Sequence, residues 1–143
     1  MKQVRIMELR GTYKGGGGPD KTILLSAEKH EKERFFVLVT YLRQPDDNEF
    51  QIGKMAANRG INYVEVTDRR LVDLRCVLDL NRLISEHCIE IVHAHDDKSS
   101  LYGIFLKMLN PKIKIMYTCH LYKIYTRQDC GGHIGFISHW LRR

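Results

Sequence analysis

The residues best suited to chemistry are two histidines and two carboxylates that follow a short apolar run: His93, His95, Asp96 and Asp97. The apolar run predicts a buried parallel strand. Because side chains alternate along a strand, His93 and His95 should point to the same side. Ligands of open α/β sheets bind beyond the carboxyl ends of the strands. The sequence therefore predicts a ligand-binding rim at this point.

A metal site at these histidines would need further ligands. The pattern H-x-H-x-D resembles the opening of a metal-hydrolase motif, but Lys98 stands where that motif has its last histidine. Unless His120 is recruited, no cluster completes a two-metal site, which needs three or more converging ligands. We therefore predict no metal. His93 is interpreted as a core imidazole with satisfied hydrogen bonds, whereas for His95 a half-exposed structural position and a functional role both remain open.

Four consecutive glycines, Gly15 to Gly18, follow the first predicted strand. Without Cβ atoms, they let the backbone approach a ligand closely and direct N–H groups at anions. The dinucleotide and Walker phosphate-binding patterns both fail at Asp20, whose charge would repel phosphate, so a nucleoside triphosphatase is excluded. Two interpretations remain: a looser loop that contacts a nucleotide diphosphate or a sugar, and a plain surface turn.

His120 is the third candidate, because it follows a predicted strand over 113–118. A parallel sheet would bring it to the same rim as His95 and the glycine loop. Polar features from separate stretches that converge on one rim are stronger evidence for a site than any one of them alone.

Strands and helices alternate along the chain. Strands are predicted at 4–9, 35–42, 61–66, 89–92 and 113–118, and helices at 19–31, 50–58, 71–87 and 99–109. In the helix over 71–87, Leu74, Val77, Leu78 and Ile84 fall at helical spacing. Alternation in the strand over 61–66 predicts an edge position. The order predicts an α/β fold, a Rossmann-like parallel sheet with helices on both faces.

Composition limits the class of protein. The 143 residues, 43% hydrophobic and 28% charged, predict one globular domain over 1–143. The net charge of +6 is spread along the chain and predicts anionic ligands such as nucleotides, but not nucleic acid. No apolar run reaches the roughly 20 residues of a membrane span, and no signal-peptide pattern is present, so we predict a cytoplasmic protein. The four cysteines are predicted to be reduced, mostly buried thiols.

The combination of motifs resembles the N-terminal domain of glycosyltransferase family 4, the retaining enzymes of the GT-B fold. The shared features are the glycine loop after the first strand, the stretch I-E-I-V-H-A-H, a helix of the L-Y-G-I-F-L type and a strand that closes with M-Y-T-C-H. The resemblance spans 4–120. It implies half of a GT-B fold, in which this domain mostly binds the acceptor and a C-terminal domain binds the nucleotide sugar.

The resemblance also implies roles for residues. His120 would be the catalytic residue, in contact with the transferred sugar, and the glycine loop would approach the donor's diphosphate and sugar, with His95 on the acceptor side. Transfer in the family retains the anomeric configuration and uses no metal or other cofactor. The leaving phosphate helps to deprotonate the acceptor, so His120 would orient and stabilise. The implied substrate-binding residues are Gly15, Gly16, Gly17 and His95, and Asp96 is predicted to bind substrate beside them because it follows His95 at the end of the strand.

The implied partners are a nucleotide sugar, a glycan or lipid-linked acceptor, and a missing C-terminal domain or partner chain. Without that second half the chain should be inactive, because catalysis needs both walls of the cleft. The stretch 131–143 is predicted to be a truncated amphipathic tail that packs on the missing half or contacts the inner face of the membrane. Two alternatives remain, a non-catalytic α/β binding module and a GT-B sugar-nucleotide epimerase.

Overall fold

A computed structural model describes residues 2–69 and 71–120 of the chain. Strands and helices alternate in it, in the predicted order. The elements are β1 (Val4–Gly11), α1 (Gly18–Lys29), β2 (Phe35–Arg43), α2 (Ile52–Ala57), β3 (Tyr63–Thr67), α3 (Leu74–Glu86), β4 (Ile91–Ala94), α4 (Asp97–Leu109) and β5 (Lys114–Tyr117).

All strand pairs are parallel, and the strand order is β3-β2-β1-β4-β5. The predicted Rossmann-like α/β fold is confirmed, and β3 lies at an edge as its alternation predicts. The chain adds β2 and β3 on one side of β1 and then returns to place β4 and β5 on the other side. Such a reversal between β1 and β4 opens a crevice at the carboxyl ends of these two strands.

The two faces of the sheet bury separate cores. On one face α3 and α4 pack over residues that include Met7, Leu9 and Val92. On the other face α1 and α2 pack over β2 and β3, around residues that include Val39 and Tyr41. Because side chains alternate along a strand, Glu8 and His93 lie on the same face as Val39, beside the region that α1 and α2 cover.

The observed bounds of α3 correct the prediction for this helix. It begins at Leu74 rather than at position 71, because the Asp73 carboxylate accepts hydrogen bonds from the backbone of Arg75 and Cys76 and so caps the helix. Leu74 and Leu78 are 71% and 63% exposed, so the predicted apolar face is wrong at these positions.

The cysteines also differ from the prediction. Cys76 is buried, but Cys88 and Cys119 are exposed. The prediction that the thiols are mostly buried is therefore wrong for the described residues. The fourth cysteine, Cys130, and the predicted tail over 131–143 lie outside the described residues. Of the helices that the structure describes, none has both the length and the apolar character needed to cross a membrane.

Candidate functional site

The centre of the site is Glu8, a carboxylate within β1. In the β1–β4 ladder Glu8 is the direct partner of His93. Its Oε2 lies 2.9 Å from Nδ1 of His93 and 2.5 Å from Nε2 of His95. The histidines therefore share one side of β4, as the alternation predicts, and both contact the same carboxylate oxygen.

The environment of Glu8 keeps it ionised. Burial alone would raise the pKa of this carboxyl, since its side chain is only 13% exposed. The hydrogen bonds from His93 and His95, together with the positive charge that these rings have when they are protonated, outweigh burial and lower the pKa of Glu8 to about 2. At neutral pH Glu8 is thus a carboxylate that can only accept hydrogen bonds.

His93 has a partner at each ring nitrogen. Its Nδ1 faces Glu8, and its Nε2 lies 2.7 Å from the Thr118 hydroxyl oxygen, just beyond β5. The prediction of satisfied hydrogen bonds for His93 is confirmed, but its side chain is 19% exposed, so the predicted core position is wrong. The residue links three neighbouring strands across the carboxyl end of the sheet.

His95 is buried, with 6% of its surface exposed, so a half-exposed position is wrong. Its backbone N–H donates to the carbonyl of Leu9 and fixes it against β1. The second ring nitrogen, Nδ1, lies 2.9 Å from Nε2 of His120, and the two rings stack with their centroids 5.1 Å apart. Burial by Glu8 and His120 explains why a residue beyond the end of a strand is hidden from solvent.

His120 lies half-buried at the rim, beside His95 as expected from the strand order. Burial lowers the pKa of His120 below its ordinary value, and so do the positive charge of Arg10 and the charge that His95 and His93 have when they are protonated. The ring is therefore biased toward its neutral form, which offers one N–H donor and one bare nitrogen acceptor. Such a ring can bind a hydroxyl group at the mouth of the crevice.

The glycine loop is joined to the histidines through Arg10. Its Nε donates to Oδ1 of Asp20 at 2.7 Å, and one of its terminal nitrogens lies 3.4 Å from the carbonyl oxygen of His95. Asp20 is buried, and it also accepts from the Tyr41 hydroxyl at 2.8 Å and from the backbone N–H of Gly17 at 3.0 Å. The carboxylate that departs from the phosphate-binding patterns thus faces inward and holds the loop in place.

Two of the glycines have backbone conformations that side chains disfavour. Gly15 and Gly16 have φ angles of +76° and +88°. A Cβ on Gly15 would lie 2.6 Å from the Ile52 side chain, whereas a Cβ on Gly16 or Gly18 would meet no atom within 4 Å. The loop therefore packs tightly at Gly15 and leaves open space above Gly16 and Gly18, where a ligand can approach the backbone.

Asp96 lies at the start of α4, where it is the N-cap. Its Oδ1 accepts from the Ser99 N–H at 2.9 Å, and its Oδ2 accepts from the Gly11 N–H at 2.7 Å. This cap starts α4 at Asp97, two residues before the predicted start. Both carboxylate oxygens bind backbone groups of the chain, and a role for Asp96 in substrate binding stays a prediction.

Sequence reasoning missed Glu8, Arg10 and Thr118. A signal for the first two was present, because β1 has a carboxylate and a guanidinium at alternate positions of a strand at the centre of the sheet. Charged residues in such a strand are almost always paired. Their partners could not be read locally, since the pairs join residues 10 to 87 positions apart.

Glu8, His93 and His95 are also the kind of residues that bind metals, and their ligand atoms lie within 4.8 Å of one another. Two ligands of a tetrahedral ion at about 2.0 Å would stand roughly 3.3 Å apart. The contacts of 2.5 and 2.9 Å to a single oxygen are instead hydrogen-bond distances. The geometry favours a hydrogen-bonded cluster.

Comparison with known proteins gives a fold match. No protein-family model matches the chain, and no curated protein matches its sequence. Among solved structures, the chain is similar to HepE of Anabaena in complex with UDP, with 15% identity and a TM-score of 0.63 over 87% of this chain and 31% of that one. It is also similar to the lipopolysaccharide outer core galactosyltransferase WaaB, with 16% identity and a TM-score of 0.60 over 80% and 32%.

A third similar structure is a putative UDP-N-acetylglucosamine 2-epimerase from Listeria monocytogenes, with 18% identity and a TM-score of 0.58 over 82% of this chain and 32% of that one. The chain thus spans about a third of the length of these proteins. The similar structures whose names state an activity are glycosyltransferases and UDP-N-acetylglucosamine 2-epimerases. The likeness supports the fold: the chain is a Rossmann-like α/β domain that matches part of each of these proteins.

Proposed function

We propose that the chain is the acceptor-side domain of a retaining GT-B glycosyltransferase of the family 4 type, which transfers a sugar from a nucleotide sugar to a glycan or lipid-linked acceptor. The observation that supports this is the junction at Arg10, which ties the first turn of α1 to the end of β4. It brings the glycine loop and His120 to one crevice.

In this proposal the residues have separate tasks. The open backbone at Gly16, with Gly15 as its fixed base and Gly17 next to it, approaches the diphosphate and sugar of the donor. His120 binds a hydroxyl of the transferred sugar and holds the reacting centre in place. His95 supports the acceptor side. The leaving phosphate takes the acceptor's proton, and no metal takes part.

The second wall of the cleft belongs to a donor-binding domain, in the same polypeptide or in a partner chain. Transfer needs both walls, because neither alone excludes water and orients both substrates. We expect the purified 143-residue chain to show no transfer, and transfer to appear once the donor-side half is supplied. We place the reaction in the cytoplasm, at the inner face of the membrane if the acceptor is lipid-linked.

The test is sugar transfer by the complete enzyme with His120→Ala, with His30→Ala as the matched control. His30 is also partly buried, but it caps the far end of α1. Transfer should fall by about 100-fold or more for His120→Ala, as for other lost transition-state contacts, and stay near wild type for His30→Ala. Equal activity of the two variants would favour a non-catalytic binding module, and transfer by the 143-residue chain alone would refute the need for a second half.

An epimerase is the second candidate, because epimerase structures are among the neighbours at comparable similarity. Product analysis separates the two reactions. An epimerase returns a sugar or sugar nucleotide with one inverted stereocentre and glycosylates no acceptor. A retaining transferase gives a glycosylated acceptor with the anomeric configuration of the donor.

A further inference from the structure

The hydrogen-bond partners of Glu8 determine where the protons of the neighbouring rings lie. A carboxylate has no proton to donate, so each ring nitrogen that contacts it must be an N–H. Oε2 of Glu8 lies 2.5 Å from Nε2 of His95 and 2.9 Å from Nδ1 of His93. His95 is therefore protonated at Nε2, and His93 at Nδ1.

The Thr118 hydroxyl completes this arrangement for His93. With its proton on Nδ1, a neutral His93 has a bare Nε2, and the hydroxyl 2.7 Å away can donate to it. Nδ1 of His93 then donates to Glu8, and Nε2 accepts from Thr118, so each hydrogen bond has one donor and one acceptor.

The same reasoning extends from His95 to His120. A neutral His95 with its proton on Nε2 has a bare Nδ1, which lies 2.9 Å from Nε2 of His120. One proton must lie between these two nitrogens, and because Nδ1 of a neutral His95 has none, Nε2 of His120 donates it. That leaves Nδ1 of His120 bare, and within residues 2–69 and 71–120 no hydrogen-bond partner contacts it.

We propose that Glu8 is a positioning residue that acts through His95 to hold His120 in its Nε2–H tautomer, so that the bare Nδ1 of His120 accepts a hydrogen bond from a ligand hydroxyl. The identity of that ligand as a sugar rests on the proposed function, whereas the tautomers do not. Protonation of His95 at Nδ1 would reverse the outcome, because His120 would then accept at Nε2 and present Nδ1–H as a donor.

The test is NMR of the whole chain labelled with ¹⁵N-histidine, with long-range ¹H–¹⁵N correlations that distinguish bare from protonated ring nitrogens. Near pH 7.5, without ligand, the rings of His95 and His120 should each show a protonated Nε2 and a bare Nδ1. A His120 ring protonated at Nδ1 would overturn the proposal. This measurement needs no variant of Glu8 and is independent of any activity.

Variants of Glu8 then test the cause. Glu8→Leu removes the acceptor, and we expect His95 and His120 to lose their single tautomer. Glu8→Gln keeps a carbonyl oxygen that can accept from both rings, and it should restore the wild-type pattern. Glu90→Gln, at the opposite end of β4, removes a carboxylate without touching the rings and is the matched control. Unchanged tautomers in a folded Glu8→Leu would refute the role of Glu8.

A metal provides a further outcome. Addition of Zn²⁺ should leave the His93 and His95 signals in place, since hydrogen bonds occupy the nitrogens that face Glu8. If one equivalent of Zn²⁺ shifts the ring signals of both His93 and His95, the proposal is wrong, and Glu8, His93 and His95 form a metal site. If the complete wild-type enzyme transfers no sugar although His95 and His120 have the tautomers described, the proposed function is wrong and the role of Glu8 stands.

Discussion

Nε of Arg10 donates to Oδ1 of Asp20 across 2.7 Å, with only 14% and 2% of the two side chains exposed. This ion pair joins the central strand of the sheet to the first turn of α1, directly beyond the glycine loop. Asp20 replaces a glycine of the Walker pattern, yet its charge is paired within the protein. The Asp20 carboxylate thus holds the glycine loop in place through contacts within the protein, and it does not need to bind a ligand.

Removal of this carboxylate should destabilise the fold strongly. Asp20→Ala leaves the Arg10 guanidinium largely buried without its partner, and we expect a loss of about 3 to 5 kcal/mol in the free energy of unfolding. Tyr41→Phe removes one of the hydrogen bonds to the same carboxylate and should cost about 1.5 kcal/mol. Urea denaturation measures both losses, and equal stability of Asp20→Ala and Tyr41→Phe would contradict the ion-pair argument.

Alanine substitutions in the glycine loop should separate the cost of a positive φ angle from the cost of a steric collision. Gly15→Ala combines a φ of +76° with a collision against Ile52, and we expect a cost of about 3 kcal/mol. Gly16→Ala has the strained φ alone and should cost about 1 to 2 kcal/mol.

Gly18→Ala is the control for this series. It meets no atom within 4 Å, has no positive φ and should leave stability near that of the wild type. Thermal or urea unfolding should rank the variants Gly15→Ala, Gly16→Ala and Gly18→Ala from least to most stable. A Gly15→Ala variant as stable as Gly18→Ala would mean that the loop does not have the described conformation.

The fold could be predicted from the sequence because alternation of strands and helices is a local pattern. Apolar runs and helical spacing indicate each element, and alternating elements give a parallel sheet. The face of α3 was harder, since Leu74 and Leu78 have the same spacing as buried residues yet are exposed. A spacing pattern shows that a helix forms, but the sequence alone does not say which of two apolar stripes meets the sheet.

The convergence of His95 and His120 could also be predicted, because each follows a strand and parallel strands end at the same rim. The contact of Glu8 with the rings of His93 and His95 could not be predicted. Its contact with His93 depends on β1 and β4 being neighbours and on their exact register, which joins residues 85 positions apart. The burial of His95 escaped prediction for the same reason, since Glu8 and His120 cover it from two other strands.

Acid should remove the contribution of Glu8 to stability. Its pKa falls from 4.5 in the unfolded chain to about 2 in the folded protein. The folded state therefore binds this proton more weakly, and Glu8 stabilises the fold by roughly 3 kcal/mol above pH 4.5. That contribution should decline as the pH falls from 4.5 to 2.

Comparison of wild type with Glu8→Gln measures this effect. The difference in unfolding free energy should be large at pH 6 and nearly absent at pH 2, as followed by urea denaturation at each pH. Glu90→Gln, which removes an exposed carboxylate paired with Lys2, should show a far smaller difference. A difference for Glu8→Gln that does not change with pH would contradict a lowered pKa for Glu8.

Variants of Asp96 should separate its role as a helix cap from its predicted role in substrate binding. Asp96→Ala loses the hydrogen bonds from Ser99 and Gly11, and we expect a cost of about 2 kcal/mol. Asp96→Ser restores the cap, because a serine oxygen can accept from the Ser99 N–H, but not the link to Gly11. It should recover about half of that loss.

Ligand binding by the folded Asp96→Ser protein then decides the question, measured by titration with the donor nucleotide sugar and with the acceptor. If Asp96 acts only as a cap, affinity for both should match the wild type, since α4 starts at the same residue. Loss of acceptor affinity in a protein of near-normal stability would instead support the predicted contact with substrate. With both carboxylate oxygens bound to backbone N–H groups, we expect the first result.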